Sequence, residues 1–265
     1  MKIIMNYSII LILFVLGILL FSCENEADFI IDPIGDAPLP IVDTFTFSVN
    51  GMETKGKIFV PAAYKTDKNL PAIFLIDFTE QHFKLATDEF ERVIDGVKQI
   101  EGFDALIVSL ENIPDVDAHP SAFQEHFDIY TSMASYIDGR YTHNSSRTFI
   151  GKGSESSIVL MALFIEDAEN SVFDNFIATD PSPEFYFSIT SIIANDDFQQ
   201  NKSNKKLHFS FSTSNDRAKC NKLIDLINEA QYPWLQFESI EYTNSNYENT
   251  YPVAYAAGLK FIFGE

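Results

Sequence analysis

One segment near the middle of the chain, residues 147–164, constrains the fold more than any other. It begins with a short apolar run, continues through two closely spaced glycines, Gly151 and Gly153, and ends in a long apolar stretch. A short apolar run bounded by glycine is typical of a buried strand, and the longer stretch is typical of a buried helix. The segment therefore predicts a strand over 147–151, a sharp turn, and a helix that ends near residue 165.

Segments typical of strands and segments typical of helices follow one another through most of the chain. Residues 44–49 and 55–60 read as two strands joined by Asn50-Gly51, which is a strong hairpin signal. Further strands are predicted at 71–76, 105–109, 172–179, 207–212 and 234–242, with helices at 86–99, 123–136, 217–230 and 253–263. The segment 181–200 reads as irregular with some helix. An antiparallel pair followed by alternating strands and helices predicts an α/β fold, with a mostly parallel sheet covered by helices on both faces.

The first residues have the layout of a targeting segment. A basic start and an apolar run from Ile9 to Phe21 end at Leu20-Phe-Ser-Cys23. This ending resembles a bacterial lipobox, which implies a lipoprotein signal peptide over 1–22 and a lipid on Cys23 that anchors the chain to a membrane. The acidic residues after Cys23 resemble surface-export signals of Gram-negative lipoproteins, so we expect the outer membrane, with surface exposure left open. An uncleaved anchor helix is the alternative.

Composition narrows the partners and the domain organisation. The chain has 265 residues and a formal net charge of -20, which repels phosphate backbones and argues against nucleic-acid binding. Residues 23–43 are acidic and contain several prolines, so we expect an extended tether. The domain is then residues 44–265. With Cys23 lipidated, Cys220 has no partner for a disulfide, and it is expected to be buried in its helix.

Several segments resemble one branch of the α/β-hydrolases, the esterase family that includes S-formylglutathione hydrolases and enterochelin esterases. The similar segments are Lys57–Tyr64, Leu70–Asp77, Tyr136–Tyr141, Ser146–Gly151, Ala178–Ser182 and Ala257–Ile262. The resemblance spans about residues 44 to 263 and implies the α/β-hydrolase fold. It also implies a nucleophile at the turn after the strand 147–151, in a G-x-S-x-G elbow.

The positions that should carry the catalytic triad hold other residues. The elbow, residues 151–155, reads Gly-Lys-Gly-Ser-Glu, so the nucleophile position is Gly153. The resemblance places the acid after the strand 207–212, where Asn215 and Asp216 lie; Asp216 is alternatively a helix cap. It places the base in the loop 242–251, which contains no histidine, and Tyr247 or a neighbour takes that position. A phenol is a poor base at neutral pH.

Other residues near the elbow offer alternatives. Ser154 or Ser156 is a candidate displaced nucleophile, or simply a polar residue of the first helical turn. His82 is the best available base for such a nucleophile, or else a solvated loop residue. Lys152 is expected to pair with Glu155. Elsewhere, His126 is expected to be exposed, His208 to be hydrogen-bonded and partly buried, and His119 and His143 to lie in a loop and a turn.

No histidine pair has metal-ligand spacing, and no G-x-G-x-x-G or P-loop occurs, so we expect no metal and no cofactor. These residues lead to one functional hypothesis and two alternatives. The hypothesis is a tethered, esterase-like domain that has lost hydrolysis and binds a small molecule or a glycan. The expected rim of the binding cleft comprises Asp77, Phe78, His82, Lys152, Ser154, Asp180 and Tyr247. The alternatives are an active carboxylic ester hydrolase with a displaced nucleophile, and a purely structural lipoprotein of an envelope complex.

Overall fold

The computed structural model describes residues 33–75, 88–110, 120–166, 171–183, 186–193 and 203–264. All of them belong to one compact unit that begins at Asp32. Four predictions therefore lie outside the described residues: the signal peptide, the lipid on Cys23, the first part of the tether up to residue 32, and three rim residues, Asp77, Phe78 and His82. The expectations for His119 also fall outside.

Eight strands of the described chain form one sheet. Their bounds are β1 Ile41–Val49, β2 Met52–Val60, β3 Ala72–Leu75, β4 Leu106–Leu110, β5 Arg147–Lys152, β6 Asn175–Thr179, β7 Lys205–Ser212 and β8 Leu235–Tyr242. The spatial order is β1-β2-β4-β3-β5-β6-β7-β8. β2 is antiparallel to both of its neighbours, and all the other pairs are parallel. The predicted mostly parallel sheet with antiparallel opening strands is confirmed.

Helices cover both faces of this sheet. Their bounds are α1 Glu89–Lys98, α2 Pro120–Asp138, α3 Ser154–Ile165, α4 Tyr186–Ile193, α5 Arg217–Ala230 and α6 Tyr251–Phe263, with a short 3-10 helix at Ala62–Lys65. α1 and α6 pack on one face, and α2 to α5 pack on the other. Along β3, Phe74 contributes to one core cluster while Ile73 and Leu75 contribute to the other. This alternation is the two-residue period of a strand buried on both faces.

The opening hairpin forms at the predicted turn but begins earlier than predicted. Asn50 and Gly51 have φ angles of 51° and 81°, the left-handed values that a two-residue hairpin turn requires. β1 starts at Ile41 rather than at Thr44, because Ile41 pairs with Val60 at the far end of β2. Ile34 is also buried against the core, so the last part of the segment expected to be a tether packs on the domain.

Two of the buried polar side chains, Lys205 and His126, lie on the face of the sheet that α2 to α5 cover. Lys205, at the start of β7, is fully buried and its Nζ lies 2.8 Å from Oε2 of Glu166. The same ammonium donates to the backbone oxygen of Phe173 at 2.6 Å. The second group is His126 of α2, which is only 4% exposed, so the prediction of an exposed His126 is wrong. Its neighbours three and four residues along, Ile129 and Tyr130, are buried too, which places His126 on the inner face of the helix.

Among the helices that the structure describes, none combines the length and the apolar composition needed to cross a bilayer.

Candidate functional site

The turn between β5 and α3 has the geometry of a strained strand-to-helix elbow. Gly153 has φ 65° and ψ -125°, a backbone conformation that residues with side chains seldom adopt. Gly151 is needed for a different reason: a Cβ at this position would lie 2.7 Å from the backbone carbonyl carbon of Glu155. The two glycines that mark the turn in the sequence therefore serve two purposes, a left-handed φ angle and a close approach of strand to helix.

Backbone hydrogen bonds on both sides hold Gly153 in place. Its N–H donates to the carbonyl oxygen of Thr179 at 3.0 Å, and its carbonyl oxygen accepts from the N–H of Ser182 at 3.1 Å. Both partners flank the carboxyl end of β6. The elbow is thus anchored to the neighbouring strand through groups that do not depend on the side chain at position 153.

Tyr247 occupies the space in front of Gly153. A Cβ built on Gly153 would lie 2.0 Å from the hydroxyl oxygen of Tyr247, well inside any possible contact distance. Tyr247 as a residue is 41% exposed, and its hydroxyl reaches the elbow, so the residue extends from solvent to Gly153. Burial, followed by the carboxylates of Glu155, Glu89 and Asp180, raises the pKa of Tyr247 above its usual range. The phenol is therefore neutral at neutral pH and does not act as a base.

Lys152, the residue between the two glycines, turns away from solvent. Its Nζ lies 3.1 Å from Oε1 of Glu89, so the predicted pairing with Glu155 is wrong. The ammonium also lies 4.4 Å from the ring centroid of Tyr251 and 5.1 Å from that of Tyr247. Such a position over aromatic faces is favourable for a cation. Lys152 thus ties the elbow to the first residues of α1.

The sequence analysis missed the partners of Lys152. Oε2 of Glu89 accepts a hydrogen bond from the Tyr255 hydroxyl at 2.7 Å, and the Tyr251 hydroxyl donates to Asp88. This network joins the start of α1 to the start of α6 beside the elbow. Tyr251 and Tyr255 are four residues apart and so share a helix face. This spacing is the signal in the sequence that could have suggested the network.

Two acidic residues, Asp216 and Asp180, lie where the acid of a catalytic triad could be. Oδ1 of Asp216 accepts from the backbone N–H of Lys219 at 3.1 Å, so Asp216 is the N-cap of α5, as the alternative interpretation predicts. That hydrogen bond holds the pKa of Asp216 below its usual value. Asp180, at the end of β6, is 1% exposed, and its Oδ1 accepts from the N–H of Ser212 at 2.6 Å and from its hydroxyl at 2.9 Å.

The serines next to the elbow have no histidine partner in the described part of the chain. Ser154 opens α3 and is half-buried; Ser156 is fully buried, with an unpartnered hydroxyl. Of the described histidines, His208 is bonded through Nδ1 to Glu238 at 2.9 Å, which confirms its predicted hydrogen bond, although it is buried completely. His126 Nδ1 has no partner, and His143 lies exposed in its turn.

The described rim residues lie around the elbow but differ in accessibility. Ser154 and Tyr247 reach solvent, whereas Lys152 and Asp180 are buried. Within the ranges that the structure describes, no group of three or more His, Cys, Asp or Glu side chains is arranged to hold a metal ion. The accessible part of the site is therefore an aromatic ring and a helix N-terminus, with charged groups beneath them.

Comparisons with known proteins identify the fold. No family model and no curated protein sequence matches this chain. Among solved structures, an IroE-like serine hydrolase from Shewanella oneidensis superposes with a TM-score of 0.68 at 14% identity, covering 84% of this chain and 80% of that chain. The BES protein from Bacillus cereus gives 0.67 at 17% identity, covering 83% and 94%. The siderophore hydrolase EstA from Aspergillus nidulans gives 0.65 at 12% identity, covering 87% and 97%. The predicted α/β-hydrolase fold is confirmed.

Proposed function

We propose that this protein is a cell-envelope lipoprotein whose esterase-like domain has lost hydrolysis at the elbow and binds a small molecule or a glycan there. One observation carries the loss of hydrolysis: the hydroxyl of Tyr247 fills the space in which a nucleophile at position 153 would begin. Acyl transfer needs a nucleophile and a base within hydrogen-bond reach of it. Gly153 offers no side chain, and the phenol at the base position holds its proton.

Two features support binding at the same place. The exposed part of the Tyr247 ring is an aromatic surface directly over the elbow, and aromatic surfaces bind sugar rings and aromatic acyl groups well. Burial, followed by the carboxylates of Glu155, Glu89 and Asp180, raises the pKa of Tyr247. Three negative groups therefore surround its phenol, and the ammonium of Lys152 offsets part of their charge. A neutral or cationic ligand therefore fits better than an anionic one.

The membrane attachment rests on the sequence. Cys23 ends a segment that resembles a lipobox, and lipid on this residue would tether the domain to the outer membrane. We expect an alkyne fatty acid fed to the native host to label the protein and the label to fractionate with the outer membrane. Cys23→Ser should lose both properties; a labelled Cys23→Ser variant would contradict the proposal.

Loss of hydrolysis is tested on the purified full-length protein in detergent. We expect p-nitrophenyl acetate and butyrate to turn over no faster than in buffer, and a fluorophosphonate probe to leave the protein unlabelled. Turnover that disappears in Ser154→Ala or Ser156→Ala would instead establish the displaced-nucleophile esterase. Ser145→Ala, a change in an exposed turn residue, is the matched control.

Binding is tested by thermal shift with neutral sugars, aromatic esters and their acid forms. A ligand that binds the folded state raises the melting temperature, and the rise grows with the ratio of ligand concentration to Kd. We expect the neutral compounds to outperform the acids, and Tyr247→Ala to abolish the shift. A shift of equal size in Tyr247→Ala would place the binding site elsewhere.

A further inference from the structure

Asp180 carries an unused hydrogen-bond acceptor at the elbow. Its Oδ1 already accepts from the backbone and hydroxyl groups of Ser212, and the Asn215 amide lies 3.3 Å away. Its Oδ2 is buried and has no hydrogen-bond partner among the described residues. Buried acceptors without a partner are rare and unfavourable, so this oxygen requires an explanation.

The chain around Asp180 places it beside the elbow. The residue before it, Thr179, accepts the hydrogen bond of the Gly153 N–H, and Ser182, two residues after it, donates to the Gly153 carbonyl oxygen. Asp180 itself has a φ of 48°, a left-handed conformation that turns the chain sharply at the end of β6. The main chain at Asp180 therefore lies beside the elbow, and its carboxyl group is bonded to Ser212 at the end of β7.

The loop that bears Tyr247 is connected to the same place. The Thr213 hydroxyl, which follows Ser212 in the chain, donates to the backbone oxygen of Ser245 at 2.6 Å. This contact fixes the loop of residues 243–250 against the end of β7, where Asp180 is bonded. The charge of Asp180 is one of those that act on the Tyr247 hydroxyl, which agrees with this proximity.

Asp216, the acid that the family resemblance suggests, is committed elsewhere. One carboxylate oxygen caps α5 through the N–H of Lys219, and the other lies 3.4 Å from the Lys219 ammonium. Its two oxygens thus serve the helix terminus, whereas Oδ2 of Asp180 is free of any such role.

We propose that Asp180, rather than Asp216, is the positioning carboxylate of this elbow, and that the part of the elbow that the structure describes is a latent acyl-transfer site in which the side chains at 153 and 247 are the ones to restore. The proposal rests on the proposed function, since a site that already hydrolyses has nothing to restore. Gly153→Ser supplies a hydroxyl and Tyr247→His supplies a base. An imidazole is shorter than a phenol, so it withdraws from Gly153 and leaves room for the serine.

The restored step is ordinary nucleophilic substitution. With a fluorophosphonate, the imidazole removes the serine proton while the serine oxygen forms a bond to phosphorus. The P–F bond breaks and fluoride leaves. Oδ2 of Asp180 accepts the N–H on the far side of the imidazole, which fixes its tautomer and stabilises the imidazolium that forms. The imidazolium then releases the proton to solvent.

The first experiment measures labelling rates of full-length variants whose folding is checked by circular dichroism. We expect Gly153→Ser/Tyr247→His to be labelled, and each single variant to remain unlabelled. Adding Asp180→Asn keeps the acceptor for Ser212 but presents an amide to the imidazole. It should slow labelling about a hundredfold or more and change its pH profile. Adding Asp216→Asn should change the rate less than about twofold, because that side chain only caps a helix.

Three results would overturn the proposal: a folded double variant that is not labelled, an Asp180→Asn triple variant with an unchanged rate and pH profile, or an equal loss with Asp216→Asn. Labelling of the unmodified protein would instead refute the proposed function. The two failures are therefore distinguishable.

A second measurement does not depend on a serine at the strained position 153. In Tyr247→His alone, an NMR titration gives the pKa of the imidazole introduced at position 247. We expect this pKa to fall by about one unit or more when Asp180→Asn is added, because a carboxylate within hydrogen-bond reach favours the imidazolium. Equal pKa values in the two variants would show that Asp180 does not face this position, and would overturn the assignment.

Discussion

At the scale of single residues, the site is defined by Gly153 and Tyr247, because each leaves only the space that the other occupies. Gly153 has neither a Cβ nor a right-handed backbone, and the Tyr247 hydroxyl lies where a Cβ would be. A change at either position therefore acts on both. Because of this mutual exclusion, the space at the elbow is set by both residues together.

The pair predicts strong coupling. We expect Gly153→Ala to lower the free energy of unfolding by about 2–4 kcal/mol, because backbone strain and overpacking add. The same substitution in a Tyr247→Ala background should be less harmful, because only the strain remains. Urea denaturation of the four proteins in this cycle measures the coupling.

Gly139→Ala is the matched control for this cycle. A Cβ at Gly139 would meet its nearest atom at an ordinary 3.5 Å, so that change should be nearly neutral. Equal losses from Gly153→Ala with and without Tyr247 would contradict the predicted exclusion.

The buried ion pair of Lys205 and Glu166 gives a second prediction at this scale. Burial raises the pKa of Glu166 and the Lys205 ammonium opposes that rise, so each charge depends on the other. Lys205→Met alone should lower the free energy of unfolding by about 3–5 kcal/mol, because it leaves an unpaired buried carboxylate. Lys205→Met with Glu166→Leu should recover most of that loss.

The control for the ion pair is a solvated one. Asp95 and Lys98 form a pair whose side chains are 58% and 61% exposed, and Asp95→Asn should change the unfolding free energy by less than about 1 kcal/mol. Chemical denaturation at pH 7 compares all the variants. A double variant no more stable than Lys205→Met alone would argue against the unpaired-charge explanation.

At the scale of helices and strands, local pattern and local chemistry suffice for most elements. α5 was predicted with the same bounds that the structure has, because Asp216 caps it and its apolar residues recur at the helical period. The turns at the elbow glycines and at Asn50-Gly51 were also predicted from these residues alone, and the structure has turns at both places. The start of β1 was missed, because pairing with Val60 extends it beyond the alternating segment.

In α2, the burial of His126 could not be predicted from the residue type alone. His126 was expected to be exposed because it follows Glu125 on the helix, yet it shares a face with the buried residues Phe123, Tyr130 and Met133. Burial lowers the pKa of His126. The unfolded chain therefore takes up the proton at a higher pH than the folded protein, and the unfolding free energy should decrease as pH falls below about 6.5.

The measurement is the urea midpoint at pH 7.5 and at pH 5.5. His126→Leu should reduce the difference between the two midpoints, whereas His143→Gln, a change at an exposed position, should leave it as in the unmodified protein. Burial lowers the pKa of His208 as well, with Glu238 opposing the shift, so part of the difference should remain in His126→Leu. A His126→Leu variant with an undiminished difference would contradict the role given to this residue.

At the scale of the whole molecule, net charge is the dominant electrostatic feature. The formal charge of -20 makes the compact state repel itself, and salt screens this repulsion. We expect the melting temperature to rise by a few degrees between 10 and 300 mM sodium chloride. Potassium chloride should act alike, since screening depends on ionic strength. A melting temperature independent of salt would show that the charges are already balanced locally.

Only part of the site could be predicted from the sequence. The nucleophile position and Tyr247 were identified because the resemblance fixes where each lies along the chain. The pairing of Lys152 with Glu89 was not, because these residues are far apart in sequence and meet only after α1 packs on the sheet. The unpaired oxygen of Asp180 was also invisible, because hydrogen-bond satisfaction depends on tertiary contacts.

The backbone bonds that anchor Gly153 to Thr179 and Ser182 have a wider consequence. They hold the outline of this turn independently of the residue at position 153, since no side chain takes part in them. The path of the main chain and the chemistry of the side chains can therefore vary separately at this point of the fold. A comparison based on the main chain alone does not report which reactive groups a protein of this fold carries.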